Sequence, residues 1–432
     1  MTTIVLSGIG ILVALVICTV LVFNKLSPIL AGPIAAIICC VFSGLPLYET
    51  LLNGYVPGVA GFFTSYFLLF GLSAILGKIY EATGAATKIG EFLAVKLGPS
   101  RAILAVLVAS AVLTYGGITS FVIIFAVYPI AQVLFQRADI PNRIIPATVC
   151  LGTWSFAMTG PASTQIQNVL PMQALGTTSM AGWEIGVPAA IIMAVAGYLY
   201  LAHSAKKLKA QGMHFEVGEH TILEDSSEKP GFWVSLLPIL VVIVSFNVLG
   251  MDILACLLIT NILATILFIK YFPEKNFLKV WSDGAAGSIP VIMSVACIVG
   301  YGNVSKLTPF FLWFNEILAT VEMNAYVLAF ALSNAFSAIL GSSSGSLGII
   351  FDTFTDTFLR AGEMGYNLDF IHRLASIGSG GLDSLPFNGA MISVLSVCGV
   401  THKQGYKYIW WVNGGIPVIA GFVALAIALV IG

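Results

Sequence analysis

The chain has 432 residues, 58% of them hydrophobic and 9% charged, with a mean hydropathy of +0.97 and a formal net charge of −1. Soluble domains carry roughly 25% charged residues, so this composition excludes a water-soluble globular protein. No basic stripe is present, which excludes a nucleic-acid binder.

In chain order, the first apolar run is TIVLSGIGILVALVICTVLVF (3–23). No Lys or Arg precedes it and Lys25 follows it, the wrong polarity for a cleaved leader, so it is expected to remain as a span. A bilayer core of about 30 Å needs about 20 apolar helical residues. By that measure further spans are expected at 28–46, 58–77, 185–202, 233–249, 253–269, 284–304 and 408–431. Cys18, Cys39, Cys40, Cys150, Cys256, Cys297 and Cys398 all fall in apolar runs, without disulfide or zinc spacing, and read as small core hydrophobes.

The regions between these spans are less regular. Residues 102–135 form two arms, each short for a full crossing, parted at TYGGITS (114–120), which predicts a re-entrant helical hairpin. Residues 144–170 read as a span broken at AMTGPASTQIQN (157–168). The polar stretch 203–230 contains HFEVGEHTILEDSSEK and reads as a cytoplasmic loop, with His214 and His220 either solvated or a metal pair. A second hairpin is expected at 324–360, parted at GSSSGS (341–346), and a second broken span at 368–398, interrupted by ASIGSGGLDSLPFNGA (375–390). Trp410–Trp411 with Tyr406 and Tyr408 read as an interfacial aromatic belt.

This order recurs, which predicts two repeats, 1–202 and 231–432, joined by residues 203–230. An outside N-terminus places Lys25, Lys78, Lys88, Lys96, Arg101, Arg137, Arg143, Lys206, Lys207 and Lys209 inside, as basic loops require. The second half sorts less cleanly, with Lys306, Arg360 and Arg373 falling outside. The first repeat then begins outside and the second inside. The expected fold is an all-α polytopic membrane protein of two inverted repeats with re-entrant hairpins and broken transmembrane helices.

Unpaired backbone in hydrocarbon costs several kcal/mol per group, so non-helical backbone at that depth is either buried in protein or lines a wet cavity. The four breaks are therefore either packing kinks or parts of one binding site. Half-helix N-termini hold anions without Arg or Lys, and half-helix C-termini hold cations. Asp383 is an acid inside a membrane segment. It is either a proton carrier or an N-cap of the half-helix that follows. Asp352 is a second protonation candidate, with Asp356 nearer the outer surface. Thr164, Gln165, Gln167 and Asn168 either meet substrate hydroxyls or satisfy exposed carbonyls. His372–Arg373 is expected at the interface, where Arg snorkels, with anion guidance as its functional alternative.

GGITSFVIIFAVYPIAQVLFQRADIPNRIIPA (116–147), TQIQNVLP (164–171), and RLASIGSGGLDSLPFNGA with VCGVTHKQGYK (373–407) resemble the gluconate permease (GntP) family. Within it they are most similar to 3-hydroxybutyrate-type permeases. The resemblance extends to LLFGLSAILGKIYEATGAATKIGEFLA (68–94) and covers nearly the whole chain. It implies a multi-pass transporter of the bacterial inner membrane that imports a small hydroxycarboxylate by proton symport. It further implies an elevator-type motion, a homodimer, no cofactor and no enzymatic activity. The implied substrate residues are Gly117, Thr119, Thr164, Gln165, Asn168, Ser342, Ser343, Ser344, Ser384 and Asn388, with Asp383 and Asp352 as proton-coupling candidates.

Two positions depart from the family pattern. Phe387 stands where the family commonly has His, implying a less polar pocket or altered coupling. The second hairpin reads GSSSGS rather than a GSASGG-like string, and its added hydroxyls keep sodium coupling open as an alternative. An enzyme would need a nucleophile–base pair or a metal cluster, and intramembrane His372 has no ligand partner at helical spacing.

Overall fold

The computed structural model describes residues 2–24, 26–98, 101–118, 120–216, 228–320, 324–386 and 388–432. These residues form helices and no strand. The first half comprises α1 (Thr2–Phe23), α2 (Pro28–Ser43), α3 (Leu47–Ala82), α4 (Ala85–Leu97), α5 (Ala102–Tyr115), α6 (Ser120–Arg137), α7 (Ile145–Thr153), α8 (Ile166–Leu175) and α9 (Trp183–Ala210). The second repeats the series as α10 (Phe232–Asn247), α11 (Ile253–Leu267), α12 (Phe277–Lys306), α13 (Pro309–Thr320), α14 (Ala325–Leu340), α15 (Ser343–Glu363), α16 (Leu368–Gly381), α17 (Gly389–Val397) and α18 (His402–Ile431).

Local chemistry sets these boundaries. Asp252 accepts from the Leu254 and Ala255 N–H groups at the start of α11, and Asn324 from those of Tyr326 and Val327 at the start of α14. Gly341 ends α14 in the left-handed conformation, with φ +57°. Exposed apolar side chains recur at helical spacing on the outer helices: Val5, Ile9, Leu12 and Val16 on α1, and Ile191, Val195 and Leu199 on α9. In water such stripes would be a liability. Against acyl chains they are the required surface. Helices α3, α9, α12 and α18, of 28 to 36 residues, are each long and apolar enough to cross a membrane.

Several helices and those nine places later exchange neighbours between the halves. Helix α2 packs on α12, and α11 on α3; α1 packs on α13, and α10 on α4; α8 packs on α15, and α17 on α6. Helices α3 and α12 lie against each other at the centre. Their backbones approach so closely that a Cβ on Gly284 of α12 would stand 2.8 Å from Ile75 Cα of α3. Small residues permit this kind of approach between membrane helices.

Three expectations change. Helix α9 continues to Ala210, so the linker begins later than hydropathy alone places it. His214 bonds through Nδ1 to Asp139 Oδ2 at 2.8 Å, beside Lys209 at 3.1 Å, and not to a metal-ligand cluster. His220 lies outside the described residues. Most of GSSSGS is helical, because Ser342 caps α15 by accepting from Gly345 N–H, leaving only Gly341 and Ser342 outside a helix. All seven cysteines are buried and unpaired.

Candidate functional site

The first hairpin turns between α5 and α6 at Gly117, whose φ of +80° is one that side chains resist. A Cβ there would stand 3.0 Å from Leu257 Cδ2 and 3.7 Å from Thr164 Oγ1. Thr164 donates to the carbonyls of Thr114 (3.3 Å) and Tyr115 (3.1 Å), and Gln165 Nε2 to those of Thr114 (2.7 Å) and Ile118 (3.3 Å). Thr114 and Tyr115 are among the last carbonyls of α5, which a helix leaves without its regular partners, and Ile118 lies in the turn that follows. The donors of Thr164 and Gln165 therefore satisfy the hairpin tip. Thr119 lies outside the described residues.

Two residues further on, Gln167 Nε2 donates to Ser343 Oγ at 2.7 Å, linking the first broken span to the second hairpin. Ser342 Oγ and Ser344 Oγ stand 3.4 Å apart beside it. Ser343 also adjoins the carboxylate of buried Asp383, which takes a hydrogen bond from Ser384 Oγ at 2.9 Å. Gly380 lets the two broken spans pack closely beside this junction: a Cβ there would stand 2.6 Å from Thr159 Cγ2 and 3.3 Å from Met158 Cε. Both breaks and the second hairpin tip thus meet around Gln167, Ser343 and Asp383.

The cap of the following half-helix is Asn388, not Asp383. Asn388 Oδ1 accepts from Ala390 N–H at 2.6 Å, and its Nδ2 donates to the Asp383 carbonyl at 2.6 Å. The Ser384 carbonyl takes Tyr406 Oη, and the Pro386 carbonyl faces His402 Nε2. The carbonyls of Asp383, Ser384 and Pro386 are thus satisfied locally, and among the described residues Asn388, not the Asp383 carboxylate, does the capping. Phe387 lies outside the described residues.

His372 and Arg373 are fully buried, which corrects their interfacial placement. Arg373 donates to the carbonyls of Ala181 (2.9 Å), Thr159 (2.7 Å) and Ser179 (3.3 Å), and no carboxylate among the described residues pairs with it. His372 bonds through Nδ1 to Thr177 Oγ1 and through Nε2 to Asn168 Oδ1. Asn168 Nδ2 donates to the Ser163 and Ser179 carbonyls, so this side chain serves the loop rather than the chamber. Asp352 also stands apart, its side chain half exposed and paired with Lys306 of α12.

The GntP family permease model matches residues 2–271. An uncharacterized transporter of Bacillus subtilis, YxjC, is 30% identical over 96% of this chain and 98% of its own. This chain belongs to the GntP permease family. A gluconate permease of Bacillus licheniformis is 27% identical over 47% of the permease described here and 46% of its own length. Among solved structures, the YdaH transporter of Alcanivorax borkumensis, described as having an unusual topology, superposes with a TM-score of 0.57 over 86% of each chain at 13% identity, a likeness of fold alone.

The permease is a membrane transporter of the GntP type. Sequence reasoning placed its interruptions but misplaced Arg373. One signal was available: Arg373 lies six residues beyond Asn367, which caps α16 by accepting from Asp369 N–H. At about 1.5 Å per residue that puts it about 9 Å along the helix from its cap, beyond the first turn.

Proposed function

We propose that this permease imports a small hydroxycarboxylate anion, of gluconate or 3-hydroxybutyrate type, by proton symport across the bacterial inner membrane. The observation that carries this reading is the convergence of Gln167, Ser343 and Asp383 from three separate elements. Helices α8 and α15 begin at this chamber, and α17 begins just beyond the Asp383 break. Their N-termini supply partial positive charge for a carboxylate. Ser343, Ser344, Ser384 and the free face of Gln167 offer hydrogen bonds to hydroxyls. Asp383 carries the proton, charged when the site is empty and neutral during translocation.

The exchange of neighbours between α1–α9 and α10–α18 supports two inverted repeats, and the basic residues of the first half favour a periplasmic N-terminus. The hairpins and broken spans would move as an elevator against α3 and α12, in a homodimer. Sodium is the alternative driver, favoured by the clustered Ser342 and Ser344 hydroxyls.

The test is uptake of labelled gluconate, 3-hydroxybutyrate, lactate and citrate into liposomes holding the purified permease, under separate proton and sodium gradients. A proton gradient alone should drive uptake of at least one acid, and Asp383→Asn should abolish that drive while the protein still purifies folded. Acid-driven uptake unchanged in Asp383→Asn would remove Asp383 from the coupling step. Uptake driven only by sodium would select the alternative.

A further inference from the structure

Ser384 is fully buried at the second broken span, and its hydroxyl has two acceptors in reach. Its Oγ stands 2.9 Å from Asp383 Oδ1 and 3.5 Å from the Asn413 carbonyl oxygen of α18. A hydroxyl carries one hydrogen, so it serves one acceptor at a time. In this conformation the shorter contact takes it, and the Asn413 carbonyl stands at the limit of hydrogen-bond range.

That carbonyl is left open by the sequence around it. Asn413 lies in the widened π turn Trp410–Gly415, and Pro417, four residues on, has no N–H to give it. The break is pressed onto this part of α18: a Cβ on Gly381 would stand 2.8 Å from Val418 Cγ2 and 3.7 Å from the Val418 nitrogen. Asn388 Nδ2, Tyr406 Oη and His402 Nε2 engage the carbonyls of Asp383, Ser384 and Pro386. The Ser384 hydroxyl can therefore turn while the main chain around it is held. Ser343, the other hydroxyl on the Asp383 carboxyl, accepts from Gln167 and has the Met158 sulfur at 3.9 Å as its alternative, a weak acceptor.

Resting on the proton-coupled reading above, we infer that Ser384 reports the protonation of Asp383 to α18. A charged carboxylate only accepts, so Ser384 donates to it. A proton arriving from hydronium forms the Asp383 O–H bond and turns this group into a donor. Ser384 Oγ accepts that hydrogen bond, keeps its own proton and points it at the Asn413 carbonyl. No other covalent bond changes, and loss of the proton to water reverses the turn. Proton arrival thus adds a hydrogen bond between the break and α18, and departure removes it. Beside any contact with substrate, Ser384 is then a positioning residue. The π turn holds no titratable side chain, and α14, which also packs on the break, holds only Tyr326 in its first turn. Cys150 of α7 adjoins Asp383, Tyr406 and His402 are engaged as above, and His372 and Arg373 lie further back on α16 with their own partners.

Two variants act on opposite states. Ser384→Ala removes the donor to the charged carboxylate, the stronger of the two bonds, and favours the neutral acid. Pro417→Ala supplies an N–H to the Asn413 carbonyl, occupies the acceptor that Ser384 needs when Asp383 is neutral, and favours the charged form. The readout is the infrared carbonyl-stretch band of the protonated carboxyl that Asp383→Asn abolishes, titrated with pH in liposomes holding the purified permease. Its midpoint should rise by about one pH unit in Ser384→Ala and fall by about half a unit in Pro417→Ala. Midpoints that move in the same direction, or stay at the wild-type value in both, would overturn the inference. Should Ser384→Ala not fold, Pro417→Ala, which leaves Asp383, Ser343 and Ser384 in place, decides alone, and a midpoint at or above the wild-type value overturns it. Wild-type uptake of labelled gluconate and 3-hydroxybutyrate that ignores an imposed proton gradient would instead overturn the proton-coupled reading itself.

Discussion

Arg373 is the largest fully buried side chain among the described residues, and its hydrogen bonds go to main-chain carbonyls. Glycines make room for it: a Cβ on Gly186 would stand 2.8 Å from Arg373 Cδ, and one on Gly182 2.7 Å from its Cβ. Arg373→Met should strand the Thr159, Ser179 and Ala181 carbonyls and cost about 3 kcal/mol or more, read as a lower Tm in detergent. Asn388→Ala should cost about 1 kcal/mol through loss of the α17 cap, by the same measurement. The contrast between these residues explains what the sequence could reveal. Asp383 stood out because an acid beside Gly378, Gly380 and Gly381 has few roles in a membrane. Arg373 did not, since hydropathy assigns any guanidinium to the surface and its acceptors lie about 200 residues away.

Among the elements, the interruptions were legible and their wiring was not. Gly and Ser marked where α5 and α14 stop, whereas α7 stops at Thr153, before the expected break at 157–168, and Gly378, Gly380 and Gly381 of the expected 375–390 break are helical within α16. Nothing in the local sequence indicated that Thr164 and Gln165 would serve carbonyls about fifty residues back. Gly117→Val should strain the tip by about 1–2 kcal/mol through its positive φ and crowd Leu257, slowing transport more than it lowers Tm. A different element contact governs the C-terminal end of α9. His214 and then Lys209, with the Phe215 amide, draw the Asp139 carboxyl from 3.8 to about 2, tying the loop after α6 to the end of α9. A depressed carboxyl gives its stabilisation above the ordinary value and loses it as pH falls toward 2. Between pH 7 and 5 that carboxylate stays charged. Asp139→Asn at pH 7 should speed amide hydrogen exchange at Phe215 without altering the spans.

At the scale of the whole molecule, the two series of helices share one core. The largest apolar cluster draws Ile79 and Val149 from one half and Val242, Phe268 and Val394 from the other. The Gln167–Ser343–Asp383 junction draws on both halves. The length of the hydrophobic runs made the long helices α3, α9, α12 and α18 readable. The reciprocal seating of α2 on α12 and α11 on α3 was not, because outward and partner-facing apolar surfaces have the same composition.

That reciprocity carries a genetic consequence. A gene cut between the codons for α9 and α10 would yield two polypeptides, each insoluble as a finished unit yet shaped to clasp the other. Co-expressed in one cell, they should recover uptake that neither fragment supports alone.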